Sequence, residues 1–385
     1  MSAIESIDRI EALPAHVDLL VVGGGPSGAA AAIAAARRGL RTLLVDRVAH
    51  PREKVCGCCL APHGQRVLQE MGLAGVLQGA RRIDGVRLVC SGREVFVRRA
   101  GILSLSRATL DGALLRAAVA SGATLAWPFV ATVEPDGLTR LRGPGGERVV
   151  RSRLRVVADG LHGASLHARP RFDWRVRAGG RIGLGAILPE GCVRVADGEI
   201  HMQIDGTGYA GLVRLPDGRV DLAAAVRPEA VRASGGAAAC VARMLGAKVI
   251  DDAALHAATW QGTPQLWRTR KHLHDDDTLL AGDAGGYVEP FTGEGMGWAL
   301  ATGWAVGEHA VAVLRGEASC AEWERRARAL VAVAKARCAL VAWGLRHPRL
   351  VRATLAAAAS LPGIASRFAE SIGAPRADGG DACRA

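Results

Sequence analysis

A glycine-rich turn near the start of the chain constrains its fold more than any other feature. Residues 17–22 are a short apolar run typical of a buried strand, and they lead into residues 23–28, GGGPSG. An alanine-rich segment of high helix propensity follows, and then a second apolar run, residues 41–45. Strand, turn, helix and strand in this order predict a βαβ unit of an α/β fold.

Three glycines of the turn, Gly23, Gly25 and Gly28, have the spacing of a dinucleotide-binding site. The first permits a tight turn, the second lets the backbone approach a pyrophosphate, and the third lets the helix pack closely on the strand. Ser27 lies at the start of the helix, where free N–H groups attract phosphates. Asp46 ends the second strand, where its carboxylate could accept hydrogen bonds from the hydroxyls of an adenosine ribose. This unit predicts a bound dinucleotide but does not separate FAD from NAD.

Length and composition indicate a folded, globular protein. A chain of 385 residues, 49% apolar and 22% charged, suits two closely packed domains or one large α/β domain with an insertion. The net charge of +12 comes mainly from arginines scattered along the chain, without an aromatic-interleaved patch, so we expect no nucleic acid as partner. We find no secretory signal in the acidic first 16 residues and no apolar run near the roughly 20 residues of a membrane span. We therefore expect a cytoplasmic protein with mostly reduced cysteines.

A second glycine-rich segment lies far along the chain. Residues 279–296 read LLAGDAGGYVEPFTGEGM, which resembles the second cofactor signature of the geranylgeranyl reductase and aromatic hydroxylase superfamily of FAD-dependent oxidoreductases. The resemblance implies that FAD is the cofactor and that Asp283, after Gly282, binds its ribityl chain. It also implies that residues 290–296 place backbone N–H groups and a helix N-terminus beside the flavin pyrimidine ring, where they would stabilise the negative charge of reduced flavin.

Other segments extend this resemblance over most of the chain. Residues 52–57, REKVCG, look like the Lys-x-Cys-Gly segment of the superfamily, and Arg107 matches an arginine that contacts FAD. Asp159 begins an element similar to an Asp-Gly motif associated with FAD and NADPH, although Gly163 stands where that motif usually has serine; the alternative is that Asp159 only ends a strand in a turn. The motifs and the resemblance together predict a cofactor site formed by Gly23, Gly25, Ser27, Gly28, Asp46, Arg47, Arg107, Asp159, Gly282, Asp283, Pro290, Gly293, Gly295 and Met296.

The sequence CGCC at residues 56–59 is the most unusual local feature. Cys56 and Cys59 form a C-x-x-C pair that could exchange electrons with a flavin as a catalytic dithiol. With His63 the cysteines could ligate zinc, but no distant pair would complete the four ligands, so we expect no metal. The favoured interpretation is that these cysteines pack beside the flavin or line its cavity.

The order of elements predicts a three-layer, Rossmann-like FAD-binding domain with an inserted antiparallel sheet and a helical C-terminus. Alternating apolar residues around the turn at residues 216–218 indicate the inserted sheet. Tyr209 and Trp260 lie in this region and are candidates for the substrate pocket. We assign residues 15–80, 100–175 and 275–320 to the FAD-binding domain, 81–99 and 176–274 to the substrate domain, and 321–385 to the C-terminal helices.

The superfamily resemblance implies an FAD-dependent oxidoreductase, and flavin chemistry needs no catalytic triad. The leading hypothesis is hydroxylation of a hydrophobic aromatic or polyketide-like small molecule by a monooxygenase, with NAD(P)H as transient reductant. One alternative is reduction of carbon–carbon double bonds in an isoprenoid lipid, although residues 209–216, YAGLVRLP, lack the Trp and Phe of the geranylgeranyl reductase motif. Another is a non-catalytic flavin-binding adaptor whose arginine-rich C-terminal helices would associate peripherally with a membrane.

Overall fold

The computed structural model describes residues 4–289, 291 and 293–360. Pro290, assigned to the cofactor loop, and residues 361–385 of the predicted C-terminal helices lie outside the described residues. The helices are α1 (Pro26–Ala36), α2 (Pro62–Glu70), α3 (Arg107–Ala120), α4 (Pro228–Ser234), α5 (Ala237–Leu245), α6 (Asp252–Ala257), α7 (Gly295–Leu314), α8 (Cys320–Gly344) and α9 (Pro348–Ser360).

The strands are β1 (His16–Val22), β2 (Thr42–Val45), β3 (Cys59–Leu60), β4 (Arg81–Cys90), β5 (Arg93–Ser104), β6 (Thr124–Ala126), β7 (Val130–Val133), β8 (Thr139–Gly143), β9 (Gly146–Val157), β10 (Trp174–Val176), β11 (Ile182–Leu188), β12 (Glu199–Ile204), β13 (Gly208–Arg214), β14 (Val220–Val226), β15 (Gln261–Gln265), β16 (Arg268–Arg270), β17 (Thr278–Leu280) and β18 (Gly286–Tyr287).

The first sheet carries the predicted βαβ unit. Its parallel part has the order β6-β2-β1-β9-β17, and the first half of β9 continues into an antiparallel meander with β8 and β7. Helices α1, α3 and α7 pack on one face of this sheet, while apolar residues of the meander cover the other. The expected α/β architecture with three layers is therefore confirmed.

Close contact between α1 and α7 positions the ends of both helices. A side chain at Gly303 of α7 would overlap the carbonyl oxygen of Ser27, and one at Gly307 would crowd Ala31. Both positions thus require glycine for this approach. Because of this contact, the first turn of α1 and the start of α7 lie on the same side of the first sheet.

The second sheet has the order β15-β11-β14-β13-β12-β4-β5-β3. The expectation that it is antiparallel needs one correction, because β4 and β12 pair in parallel. These two strands are connected through the first domain and not by a hairpin, so their direction does not have to alternate. Strand pairing also places residues 59–60 and 100–104 in this sheet, and the division into domains stays a prediction.

The second sheet buries one face under α5 and α6 and turns the other towards the first sheet. A small sheet, β10-β16-β18, joins the two parts, and α8 and α9 close one side of the space between them. Among the described helices, none combines the length and the apolar character that crossing a membrane requires.

Candidate active site

A cavity of about 1160 Å³ lies between the two sheets, beside the carboxyl ends of β1 and β9. Ligands of α/β sheets commonly bind at such carboxyl ends. Gly28 and Gly282, which are also predicted site residues, lie against the lining residues Gly23 and Ser27. The predicted site residues that line it are Gly23, Gly25, Ser27, Asp46, Arg47, Cys56, Cys59, Arg107, Asp159, Tyr209, Asp283, Gly293, Gly295 and Met296.

The backbone of the first motif tolerates only glycine at its two ends. Gly23 has φ +109°, and a side chain there would overlap the carbonyl oxygen of Ala158. A side chain at Gly28 would overlap the carbonyl oxygen of Gly23 itself. Gly282 has φ +61°, and its added Cβ would lie 2.8 Å from Cβ of Ser27. The backbone of Gly282 therefore lies against the Ser27 side chain, so the two motifs, more than 230 residues apart in sequence, meet here.

The first turn of α1 offers unsatisfied donors to the cavity. The helix begins at Pro26, and its N-cap residue, Gly25, supplies no side-chain cap. The Ser27 hydroxyl is buried without a hydrogen-bond partner among the described residues. Free N–H groups and a positive helix end attract anions. This end of the cavity fits a pyrophosphate.

Asp46, at the end of β2, lies beside the same turn and is only 5% exposed. Its Oδ2 accepts the N–H of Gly24 at 2.6 Å and lies 3.2 Å from Nε2 of His50, and its Oδ1 accepts the N–H of Val48 at 3.0 Å. Burial favours the neutral acid, but His50, Gly24 and Arg52 outweigh it and lower the pKa of Asp46 to about 2. A carboxylate held ionised and aimed at the cavity suits the hydroxyls of a ribose.

Charged residues continue along the cavity floor. Arg107 forms a buried two-point ion pair with Asp111, with N–O distances of 3.0 and 2.7 Å. Burial raises the pKa of Asp283, and the charges of Lys54, Lys335 and Arg107 oppose that shift. These cations surround the acid that the sequence assigns to the ribityl chain.

Asp159 follows β9 and faces the cavity next to the glycine turn. Its Oδ2 accepts the N–H of Ser165 at 3.0 Å, and its buried Oδ1 has no partner among the described residues. Burial raises the pKa of Asp159 despite the opposing contacts with Ser165 and Arg270. An unpaired buried oxygen fits a ligand hydroxyl or amide, while a role in binding NADPH stays a prediction.

The start of α7 forms the other end of the cofactor region. Gly293, Gly295 and Met296 line the cavity there, and the N-cap residue Glu294 makes no side-chain cap. The helix N-terminus that the resemblance implied at residues 290–296 is the start of α7, which runs from Gly295 to Leu314. Free N–H groups at the start of this helix would stabilise the negative charge of a reduced flavin pyrimidine ring, as the resemblance implies.

In the cysteine cluster, the side-chain contact of Cys56 is with Cys58, whereas the C-x-x-C spacing suggested a pair with Cys59. The thiol that contacts Cys56 belongs to Cys58, which adopts a left-handed φ of +46°. The hydrogen bond from Cys58 outweighs burial and, with Arg107 nearby, lowers the pKa of Cys56 to about 6. Burial raises the pKa of Cys59. A dithiol of Cys56 and Cys59 stays a prediction, and among the described residues no group of three or more potential ligands lies together as a metal site.

The second sheet supplies the apolar wall of the cavity. Tyr209 lines it and packs edge-on against Phe291, with ring centroids 5.0 Å apart. Trp260 does not line this cavity in the described part of the chain, and its assignment to the substrate pocket stays a prediction. Its indole N–H donates to the carbonyl of Leu255 at 2.9 Å, and its ring packs on the far face of the second sheet. The polar atom of a buried tryptophan needs such a partner, which holds the ring there.

Two cavity residues were missed as individual site residues. Lys54 lies within the segment compared with the superfamily, but its charge near Asp283 emerges only from the fold. Asp221 lies on β14 and lines the cavity. The available signal was one acid within the otherwise apolar strand Val220–Val226, because an unpaired acid rarely sits in such a strand without a reason.

Comparison with known proteins shows similarity to flavoproteins. The model of the FAD dependent oxidoreductase family matches residues 18–51. A menaquinone reductase from Mycolicibacterium smegmatis is 26% identical over 75% of this chain and 75% of its own length. An aklavinone 12-hydroxylase from Streptomyces peucetius subsp. caesius is 27% identical over 78% of this chain and 69% of its own length. The crystal structure of a flavoprotein/dehydrogenase from Cytophaga hutchinsonii, 17% identical, has a TM-score of 0.79 over 93% of this chain and 92% of that one.

The fold and the site define a flavoprotein oxidoreductase. The chain is similar to FAD-dependent oxidoreductases that include an aromatic hydroxylase and, in fold, a geranylgeranyl bacteriochlorophyll reductase-like protein, and its cofactor is FAD. The resemblance inferred from the sequence is confirmed. The chain is an enzyme, so the non-catalytic adaptor is not retained.

Proposed function

We propose that the protein is a monooxygenase that uses NAD(P)H as reductant and hydroxylates a hydrophobic aromatic or polyketide-like small molecule. The observation that carries this proposal is the continuity of one cavity from the two helix N-termini to the apolar face of the second sheet. A cofactor held at the first end would present its reactive ring to a flat apolar molecule at the second. The relative whose name is aklavinone 12-hydroxylase supports this type of reaction.

The residues on the cofactor side suit FAD in one orientation. The first turn of α1 and Ser27 would bind the pyrophosphate, and Asp46 would accept hydrogen bonds from the adenosine ribose. Asp283 would bind the ribityl chain, and the N-terminus of α7 would lie at the pyrimidine ring. When bound, reduced flavin supplies either a hydride or, with O₂, an oxygen atom.

The residues on the substrate side provide shape more than charge. Gly211, Ala223 and Ala225 face the cavity from β13 and β14, and their small side chains leave room for a ring system. Apolar side chains of β12 and β4 extend this surface. Exclusion of water by such a wall protects reactive species and orients an apolar substrate.

The proposal is tested by measuring O₂ uptake and NADPH oxidation by the FAD-loaded protein with a panel of polyphenolic and fused-ring aromatics. We expect some of these compounds to accelerate NADPH oxidation and to gain one oxygen atom from O₂, detected with ¹⁸O₂ by mass spectrometry. Turnover of the same compounds under strict exclusion of O₂ would rule out monooxygenation.

A second candidate, reduction of a carbon–carbon double bond, is favoured by the Cys56 thiol. A thiol with a pKa near 6 is largely thiolate at neutral pH, and thiolates are oxidised by the peroxide that oxygen-activating flavoenzymes release. A reductase that does not activate O₂ would not expose the Cys56 thiolate to this peroxide. One relative is named menaquinone reductase. Anaerobic conversion of a prenylated substrate with the gain of two hydrogens would support this candidate, and strict O₂ dependence would remove it.

We also propose that the apolar substrate enters from a membrane surface. The cavity mouth at α8 and α9 carries Leu340 and Trp343, which are 66% and 49% exposed, and Leu350 follows on α9. Arg349 and Arg352 are exposed on the same helix. Apolar side chains flanked by arginines suit the interface of a bilayer that contains anionic lipids.

A further inference from the structure

The acid on β14 is unusual for its surroundings. Asp221 is 3% exposed and lines the cavity, and its Oδ2 has no hydrogen-bond partner among the described residues. Its neighbours across the sheet are Ile187 on β11 and Val213 on β13. Burying a carboxyl group without a full set of partners costs free energy. Packing of the sheet does not account for an acid at this position.

The strand pattern turns Asp221 to the ligand side. Side chains alternate along a strand, and Val220 and Leu222 point into the core beneath the sheet. Asp221 therefore shares the cavity face with Ala223 and Ala225. It is the polar member of a row whose other members, Ala223 and Ala225, are small.

The ionisable groups that act on Asp221 lie mainly on the segment that precedes β3. Cys56, Cys58 and Glu53 lie on the neighbouring segment, and Arg107 acts only from a distance. Burial, together with the negative charge of Cys56, raises the pKa of Asp221 well above its ordinary value, although the Cys58 thiol opposes the shift. Burial therefore favours the protonated, neutral form of the carboxyl, and this form can donate a hydrogen bond.

We propose that Asp221 determines substrate specificity by donating a hydrogen bond from its neutral carboxyl to a carbonyl oxygen of the bound substrate. The substrate class is thereby narrowed to aromatics that carry a quinone or aryl ketone oxygen at the end lying against β14. A neutral acid in an apolar site is a strong donor to such an oxygen, and an analogue without the oxygen leaves the acid unpaired. This inference rests on the proposed function only in placing the substrate in this cavity, and it applies to hydroxylation and to reduction alike.

The test compares two probes of similar shape, 9,10-anthraquinone and anthracene, titrated into the FAD-loaded protein while the flavin absorption spectrum reports binding. We expect Asp221→Leu to weaken anthraquinone binding about 5- to 150-fold, because the buried carbonyl loses its donor, and to leave anthracene binding unchanged or tighter. Asp221→Asn, which keeps an N–H donor, restores most of the anthraquinone affinity. Asp217→Asn, on the exposed turn of the same hairpin, is the matched control and should match the wild type with both probes.

Several results would overturn the proposal. If Asp221→Leu weakens the binding of anthraquinone and anthracene equally, Asp221 only shapes the cavity. If Asp221→Asn binds anthraquinone as poorly as Asp221→Leu does, a donor role is excluded. Failure of the wild-type protein to bind anthraquinone would also overturn the proposed role of Asp221. The proposed function would still stand in that case if an aromatic without a carbonyl group stimulated O₂-dependent NADPH oxidation. Conversely, carbonyl-dependent binding without any such oxidation would remove the proposed function and leave the role of Asp221 intact. The FAD content of each variant verifies that the cofactor site is preserved.

Discussion

Replacement of Asp46 by asparagine tests the cofactor site most directly. The carboxylate accepts two backbone N–H groups, from Gly24 and Val48, with separate oxygens. Asparagine has one acceptor oxygen, so one of these N–H groups loses its partner, and the negative charge that would accept the ribose hydroxyls disappears. A hydrogen bond to a charged group contributes about 1.5–3 kcal/mol. We expect FAD to bind about 10- to 150-fold more weakly, measured by titrating the apoprotein and following flavin fluorescence.

The same carboxylate also stabilises the fold in a pH-dependent way. Its pKa falls from 3.8 to about 2 on folding, and at roughly 1.4 kcal/mol per pKa unit this contributes about 2 kcal/mol. Because the folded pKa is lowered, this stability is fully present above pH 4 and is lost as the pH falls towards 2. The loss of unfolding free energy in Asp46→Asn, from urea denaturation, should therefore be smaller at pH 3 than at pH 7.

Asp18→Asn is the control for this experiment, because Asp18 also has a lowered pKa through Arg41 but does not line the cavity in the described part of the chain. It should bind FAD like the wild type. The reasoning is refuted if Asp46→Asn retains wild-type affinity for FAD, or if Asp18→Asn weakens FAD binding to the same extent.

Three further perturbations address other parts of the molecule. Gly28→Ala should lower the free energy of unfolding by at least about 1–3 kcal/mol and abolish FAD retention, because the added methyl group overlaps a backbone carbonyl. The control is Gly75→Ala, whose methyl group meets nothing within 4 Å, and it should leave both Tm and FAD content unchanged. Equal losses of Tm and FAD content in the two variants would contradict the argument. The rate of alkylation by iodoacetamide should rise with pH and reach half its maximum near pH 6, and this reaction should be absent from Cys56→Ser. A half-maximal rate near pH 9 would disprove the lowered pKa of Cys56. The Leu340→Ser/Trp343→Ser double variant should sediment less with anionic vesicles, while equal sedimentation would remove the proposed membrane contact.

Local sequence was sufficient for much of the cofactor half. The glycine spacing, the apolar runs on either side and the alanine-rich segment predicted the βαβ unit, because each depends on backbone conformation and periodicity over a few residues. The resemblance of residues 279–296 to a superfamily signature then distinguished FAD from NAD.

Contacts between distant segments were decided by the tertiary structure alone. Gly282 meets Ser27 only because α7 packs closely on α1. Cys58, which adopts a left-handed backbone conformation, is the cysteine whose side chain hydrogen-bonds to Cys56. Trp260 turns to the far face of its sheet, although its position in sequence suggested the pocket.

The glycine-rich turn and the elements around it were therefore determined by the sequence itself, since their geometry arises from neighbouring residues. Which side chains line the substrate side of the cavity was decided by strand register, because register sets the face to which each side chain points. A shift of one residue in β14 would bury Asp221 in the core and turn Leu222 to the cavity. For this reason the cofactor could be inferred from motifs, whereas the acid proposed to select the substrate emerged only from the folded sheet.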